Sequence, residues 1–383
     1  MKGLLNKSYL TAERNHWLDI LRGLAIFGVV SSHSIQLTDN IGLINTSDFF
    51  SLFADLGKYG VEVFFFLSGW LLVSIYGFNG AALGKSFLIK RIARIYPLWV
   101  TFLLLSLIRW QITNSGKINS PISSVNGNEL LHSTAGIVLL TLTFTLFISN
   151  SLWNGVIYGG WSIQAEIAHY FIFSLIRNRN LNSILKICAV INFATSIIYI
   201  LRNNMNSFPS PLLQILDAWL RLGIYSTFGY FLLGIISYQF YNEIKRLRVL
   251  SVSLNVYNIS PNIFTLFCVS FLVVPCYGGN QFEAIGYLGI MILASLTIFR
   301  SHKMSVFFQF LGRYSYFIYF AHFYALMLVS WAIQRTSFIK PETSSQQIVF
   351  MIMFVFSLIV SSLLAIPSMK YFEKPIIKMA HKV

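Results

Sequence analysis

Long apolar runs separated by short polar stretches repeat along the whole chain. Most runs are close to the ~20 residues that an α-helix needs to cross the hydrocarbon core of a membrane. Helices suit the hydrocarbon core because they satisfy every backbone hydrogen bond within one segment. The pattern predicts an all-α, polytopic membrane protein with about eleven apolar segments. These segments lie near 16–36, 58–78, 95–112, 130–149, 161–177, 187–201, 218–240, 262–277, 283–299, 309–333 and 347–367.

The basic residues between the runs predict the orientation of the chain, because Lys and Arg concentrate in cytoplasmic loops. Dense basic clusters occur at Lys85–Arg94, Arg177–Arg179 and Lys245–Arg248. If every segment crossed the membrane, the last two clusters would lie outside. If 130–149 does not cross fully, all three lie inside. We therefore expect about ten transmembrane helices, with 130–149 re-entrant or interfacial.

Both termini are basic, so the same rule places them in the cytoplasm, as segments 1–15 and 368–383. The first apolar run has no small-residue cleavage site after it and is interpreted as a retained anchor rather than a signal peptide. We find no internal repeat and treat residues 1–383 as a single integral membrane domain.

Composition agrees with a membrane protein and narrows the possible partners. Charged residues make up 11% of the chain, against about 25% in a typical soluble domain. The net charge of +15 is explained by cytoplasmic loops, so no nucleic acid is expected. The three cysteines lack metal-ligand spacing, and no metal is expected.

Arg22 and His33 are the first candidates for chemistry. Eleven positions separate them, so on a helix they point within roughly 20° of each other, about 16 Å apart along the axis. Ionisable groups at membrane depth are costly and therefore mark functional candidates. The alternative is that Arg22 extends to the interface and His33 lies among lipid headgroups.

A second polar group is expected towards the outside. The helix that begins at Trp161 carries Ser162, Glu166 and Tyr170 at i, i+4 and i+8, hence on one face. A histidine near a carboxylate can remove a proton from a hydroxyl, so His33 and Glu166 form a candidate base and carboxylate. The alternative for Glu166 is a structural partner for Arg or Lys.

A third group is basic and lies at the cytoplasmic ends of the helices. Arg91, Arg94 and Arg313 belong to it, and His322 lies deeper on the same helix as Arg313. Arginine grips phosphate through its planar fork, so this group suits a phosphate-bearing ligand. The alternative for each arginine is an ordinary orientation signal.

Six motifs in order along the chain resemble those of the acyltransferase-3 family of integral membrane acyltransferases. In the first, ten residues lie between the arginine and the histidine. The motifs are R-G-L-A-I-F-G-V-V-S-S-H at 22–33, F-F-F-L-S-G-W-L-L at 64–72, K-R-I-A-R-I-Y-P-L-W at 90–99, W-S-I-Q-A-E-I-A-H-Y-F at 161–171, G-R-Y-S-Y-F-I-Y-F-A-H at 312–322 and F-E-K-P at 372–375.

The resemblance implies an enzyme of the bacterial inner membrane. Such an enzyme takes an acyl group, usually acetyl, from cytoplasmic acyl-CoA. It transfers the group to a hydroxyl on the far side, commonly on O-antigen, another surface glycan or a lipid-linked sugar. The expected partners are thus acyl-CoA, a glycan acceptor and membrane lipid.

The resemblance, together with the depth of each residue, assigns expected roles. His33 is expected to act as general base or as a transient acyl carrier, Arg22 to stabilise the thioester oxygen, and Glu166 to orient a histidine. The three arginines Arg91, Arg94 and Arg313 are expected to bind CoA. The expected substrate-binding residues are Trp161, Ser162, Tyr170 and His322.

A proton-coupled transporter or flippase is the main alternative, because a histidine and a glutamate at membrane depth also suit a proton relay. A structural membrane scaffold is a third possibility, but it leaves the aligned Arg22 and His33 unexplained.

Overall fold

The computed structural model describes residues 16–40, 57, 59–76, 85–113, 142, 157–176, 181–204, 224–250, 281–335 and 346–380. Within these ranges the chain is helical and has no strand. The helices are α1 (His16–Asn40), α2 (Gly60–Tyr76), α3 (Lys85–Thr113), α4 (Gly160–Ile176), α5 (Leu181–Asn204), α6 (Ile224–Leu250), α7 (Gln281–Phe299), α8 (His302–Arg335), α9 (Gln346–Pro367) and α10 (Lys374–Ala380). A six-residue π-helical turn, Ser368–Glu373, joins the last two.

The described helices fit a membrane protein. Four helical stretches are long and apolar enough to cross a membrane, by length and composition: His16–Thr38, Phe87–Arg109, His302–Arg335 and Gln347–Ala380. Shorter apolar helices cover Gly60–Tyr76, Leu181–Ala194 and Glu283–Phe299. The topology of about ten spans stays a prediction. Its segments 130–149 (Leu142 apart) and 262–277 lie outside the described residues.

The helices form two compact units, each described here by itself. Unit 1 comprises Met1–Leu67 and Ile285–Lys378, and unit 2 comprises Ser68–Ala284 and Met379–Val383. The boundaries fall within α2, α7 and α10.

Unit 1 is built around α1, which packs on α8 through glycines. A Cβ atom on Gly23 would lie 2.8 Å from the carbonyl carbon of Phe308, and one on Gly312 would lie 2.7 Å from that of Asp19. Small residues let membrane helices approach this closely. His16 contacts Gln309 and, further along both helices, His33 contacts His322. The two helices are therefore parallel.

Two further helices of unit 1, α9 and the start of α2, run in the opposite direction. In α9, Met353 packs on Leu326 of α8, and Ser357 donates a hydrogen bond of 3.1 Å to the carbonyl of His322. Between these two contacts the residue number rises along α9 and falls along α8, so the two helices are antiparallel. The start of α2 is likewise antiparallel to α1, because Gly57 faces Gly28 while Gly60 faces Ala25.

Unit 2 contains α3 and α4 side by side. Trp99 packs on Gly160, at 3.0 Å from the position of an added Cβ, and the rings of Phe87 and Tyr170 are 5.8 Å apart. The helices are therefore antiparallel, and the end of α3 and the start of α4 lie at the same end of unit 2. The topology predicted from basic residues requires this arrangement.

Candidate active site

Two histidines of unit 1 are hydrogen-bonded to each other. Nδ1 of His33, on α1, lies 2.9 Å from Nε2 of His322, on α8. The rings are nearly parallel, with centroids 5.1 Å apart. At its other nitrogen, Nδ1, His322 lies 2.9 Å from the carbonyl oxygen of Ile318, one turn earlier on the same helix.

The two histidines differ in their exposure. His322 is fully buried, whereas His33 is only partly buried. Phe323 covers both rings, with its centroid 4.4 Å from His33 and 4.2 Å from His322. His33 is therefore the more exposed member of the pair.

Arg22 lies on α1 together with His33, as the spacing predicts. Its guanidinium is 3.6 Å from the carboxylate of Asp19, and its side chain is 17% exposed. The two residues, three positions apart on one helix, form an ion pair. The carboxylate thus balances the charge of the arginine within a largely buried helix.

Unit 2 contains a separate polar network around Glu166. Ser68 donates a hydrogen bond of 2.7 Å to Oε1 of Glu166, and the hydroxyl of Tyr170 donates to the same oxygen. The guanidinium carbon of Arg91 lies 5.4 Å from the centre of the Tyr170 ring and 5.7 Å from that of Phe87, within reach of cation–π attraction.

The structure thus brings together some of the predicted site residues. Glu166, Tyr170 and Arg91 share the unit 2 network, while Arg22, His33 and His322 belong to unit 1. The hydrogen-bond partner of His33 in the structure is a second histidine, a pairing that the sequence did not reveal.

The remaining predicted residues have simpler surroundings. Arg94 and Arg313 are exposed. Trp161 is buried at the start of α4, and Ser162 donates a hydrogen bond of 3.1 Å to the carbonyl of Gly159.

Comparison with known proteins identifies the family. A family model, Acyltransferase 3, described as an acyltransferase domain, matches residues 15–366. The chain belongs to the acyltransferase-3 family. A curated protein of Rhizobium radiobacter, "Protein 2 in picA locus", is 28% identical over 163 residues, which cover 40% of this chain and 78% of that protein. No solved structure matches the chain.

Two residues of this acyltransferase were not assigned a role from the sequence. Ser68, in the L-S-G stretch of the second motif, reaches Glu166. Glu62 is buried, and its Oε2 has no hydrogen-bond partner among the described residues. The position of Ser68 inside a motif was the available signal, whereas Glu62 had none beyond its charge.

Proposed function

We propose that this acyltransferase moves an acetyl group from cytoplasmic acetyl-CoA to a hydroxyl of an extracytoplasmic carbohydrate, such as O-antigen or another surface glycan. The observation that carries the proposal is the partly exposed His33 held against the buried His322 by a hydrogen bond of 2.9 Å. Acyl transfer to a hydroxyl needs a positioned base, and an accessible imidazole supported from behind suits that task.

In the proposed reaction His33 removes the proton of the acceptor hydroxyl. The hydroxyl oxygen then attacks the carbonyl carbon of the thioester and forms a C–O bond. The carbon–sulfur bond breaks, and the proton on His33 passes to the departing sulfur. The products are the acetyl ester and CoA with a free thiol, so the base is restored.

Arg22 supports the same reaction through its charge. The thioester oxygen becomes negative during the attack, and a cation beside it lowers the free energy of that state. In this structure Asp19 holds the guanidinium at 3.6 Å. The attacked carbonyl lies beside His33, about 16 Å from Arg22 along α1, so this role requires the guanidinium to leave Asp19 and extend towards the histidine.

The cytoplasmic arginines are proposed to bind the donor. Arg94 and Arg313 are exposed and free to meet the phosphates of CoA. Arg91 rests against the rings of Phe87 and Tyr170, which fixes the direction of its guanidinium. Arginine forms bidentate, charge-assisted hydrogen bonds with phosphate.

The proposal is tested in cells by His33→Ala. The acetyl esters on surface polysaccharide are measured by mass spectrometry in a deletion strain that expresses the wild-type or variant protein. A general base contributes about 10²–10⁴-fold to the rate, so acetylation should nearly disappear. The matched control is Thr38→Val on α1, because among the described residues the buried Thr38 donates only to the carbonyl of Ser34 and to the sulfur of Met353.

A second arm uses purified protein and acetyl-CoA labelled in the acetyl group, with release of CoA thiol as the signal. Transfer should rise with pH, because only the neutral imidazole accepts a proton. If His33→Ala keeps more than about a tenth of the wild-type rate, His33 is not the base. If wild-type protein neither binds acetyl-CoA nor changes polysaccharide acetylation, the enzyme proposal fails.

A further inference from the structure

We infer that His322 is a positioning residue for the proposed reaction: its lone pair at Nε2 fixes His33 in the tautomer that leaves Nε2 of His33 as the base. The inference rests on the proposed function for its catalytic meaning. The tautomer itself follows from hydrogen bonds that do not depend on a substrate.

The hydrogen bonds of His322 fix which of its two ring nitrogens carries the hydrogen. Its Nδ1 is 2.9 Å from the carbonyl oxygen of Ile318, and a carbonyl oxygen can only accept a hydrogen bond. Nδ1 of His322 therefore carries the hydrogen. In a neutral imidazole one nitrogen donates and the other accepts, so Nε2 of His322 holds a lone pair.

The tautomer of His33 is set in turn by this lone pair. Its Nδ1 lies 2.9 Å from that lone pair, so in the neutral pair Nδ1 of His33 carries the hydrogen and donates it. The other nitrogen of His33, Nε2, is then left with a lone pair. This is the nitrogen that can remove a proton from a hydroxyl.

The surroundings of His322 hold it in this role. Ser357 of α9 donates a hydrogen bond of 3.1 Å to the backbone carbonyl of His322, and Phe323 covers both imidazoles. The titratable group beside the pair on α8 is Tyr319, whose ring is 6.0 Å from that of His322. The sequence of α9 contains no titratable side chain.

The pair also accounts for where the charge goes during transfer. When Nε2 of His33 takes the hydroxyl proton, His33 becomes an imidazolium and its Nδ1–H donates more strongly to His322. The cation is thus stabilised without a carboxylate. When the proton leaves for the sulfur of CoA, both rings return to the neutral state with their original tautomers.

Two substitutions of His322 test the inference in the assay that follows CoA release from acetyl-CoA. His322→Phe keeps an aromatic ring but removes the nitrogen that accepts the hydrogen bond from His33, so the hydrogen of His33 is no longer held on Nδ1. We expect kcat to fall about 10²-fold or more, towards the level of His33→Ala, while KM for acetyl-CoA is unchanged. His322→Gln supplies an amide oxygen that accepts from Nδ1–H, and it should recover at least about tenfold over His322→Phe.

Ser315→Ala is the matched control, since Ser315 is buried on α8 and, within the part of the chain that the structure describes, donates only to the carbonyl of Gly312. It should retain the wild-type rate. The double variant His33→Ala/His322→Phe should be no slower than His33→Ala, because the two residues act as one unit. Equal activity of His322→Phe and wild type, or an additive loss in the double variant, would overturn the inference.

A measurement without substrate separates this inference from the proposed function. In protein labelled with ¹⁵N-histidine, the signals of His33 and His322 are assigned by their loss in the two single variants. We expect both residues to be protonated at Nδ1 and unprotonated at Nε2 near neutral pH, with a coupling between Nδ1 of His33 and Nε2 of His322. A His33 protonated at Nε2 would refute the inference even if acetyl transfer is confirmed. Protonation of both histidines at Nδ1 would uphold the tautomer even if no acetyl transfer is found.

Discussion

Replacing Gly312 by alanine should force α1 and α8 apart and weaken the histidine pair. An ideal Cβ on Gly312 would overlap the carbonyl oxygen of Asp19. It would also lie 2.7 Å from the carbonyl carbon of Asp19 and 3.0 Å from the backbone nitrogen of Gly23, whereas ordinary contacts begin at 3.4 Å. All three are backbone atoms, which cannot rotate away. The helices must therefore separate by at least about 0.7 Å.

This separation has a cost in stability and in geometry. Overpacking of this kind typically costs about 1–3 kcal/mol, more than the ~1 kcal/mol that alanine gains over glycine in a helix. If α1 and α8 move apart as rigid rods, the 2.9 Å distance between His33 and His322 grows to about 3.6 Å, too long for a hydrogen bond.

The assay compares Gly312→Ala with Gly289→Ala in detergent, by thermal unfolding and by acetyl transfer. A Cβ on Gly289 would have no atom within 4 Å, so this control should be at least as stable and as active as wild type. Gly312→Ala should unfold at a lower temperature and lose activity. If Gly312→Ala unfolds at the same temperature as the control and keeps its activity, the close helix contact does not hold the pair.

Two further predictions concern the donor site and the topology. Arg91→Ala and Arg94→Ala should each weaken acetyl-CoA binding by about 1.5–3 kcal/mol, and lysine at either position should restore the affinity only in part. The affinity is measured by the protection that acetyl-CoA gives the protein against heat. Unchanged affinity in both alanine variants would remove these residues from the site. Single cysteines at Ser124 and Asn154, in a cysteine-free protein, should both react with an impermeant thiol reagent from outside, and protection of Asn154 alone would indicate that 130–149 crosses the membrane.

Within the described residues, the apolar pattern predicted where helices lie, because membrane helices are selected for length and hydropathy. The run at 161–177 is α4, Gly160–Ile176, and the run at 347–367 is α9, Gln346–Pro367. The boundaries shift where a helix continues past its apolar part. The third run, expected from residue 95, begins at Lys85 because hydropathy does not register a basic first turn.

The pairing of residues was harder to predict than their depth. His33 and Arg22 were placed on one face of one helix by period alone. His322 was placed deeper on another helix, but no local pattern states which helices touch. A weak signal did exist: Arg22 precedes His33 and Arg313 precedes His322 by similar intervals on two helices expected to start at the cytoplasm. The hydroxyls that reach Glu166 depend on packing, which a single sequence does not record.

The split of unit 1 between the two ends of the chain bears on how the protein is made. The hydrogen bond between the histidines joins residues separated by 289 positions, and α8 is synthesised only after Ser68–Ala284 of unit 2. Closing so long a loop is slow compared with local helix formation. Newly inserted α1 must therefore wait in the bilayer without its partner helix. Its internal pair of Asp19 and Arg22 neutralises its charge during that interval. A ribosome that stops before His322 leaves a protein with a complete first motif and no histidine pair, so the site forms only when synthesis is nearly finished.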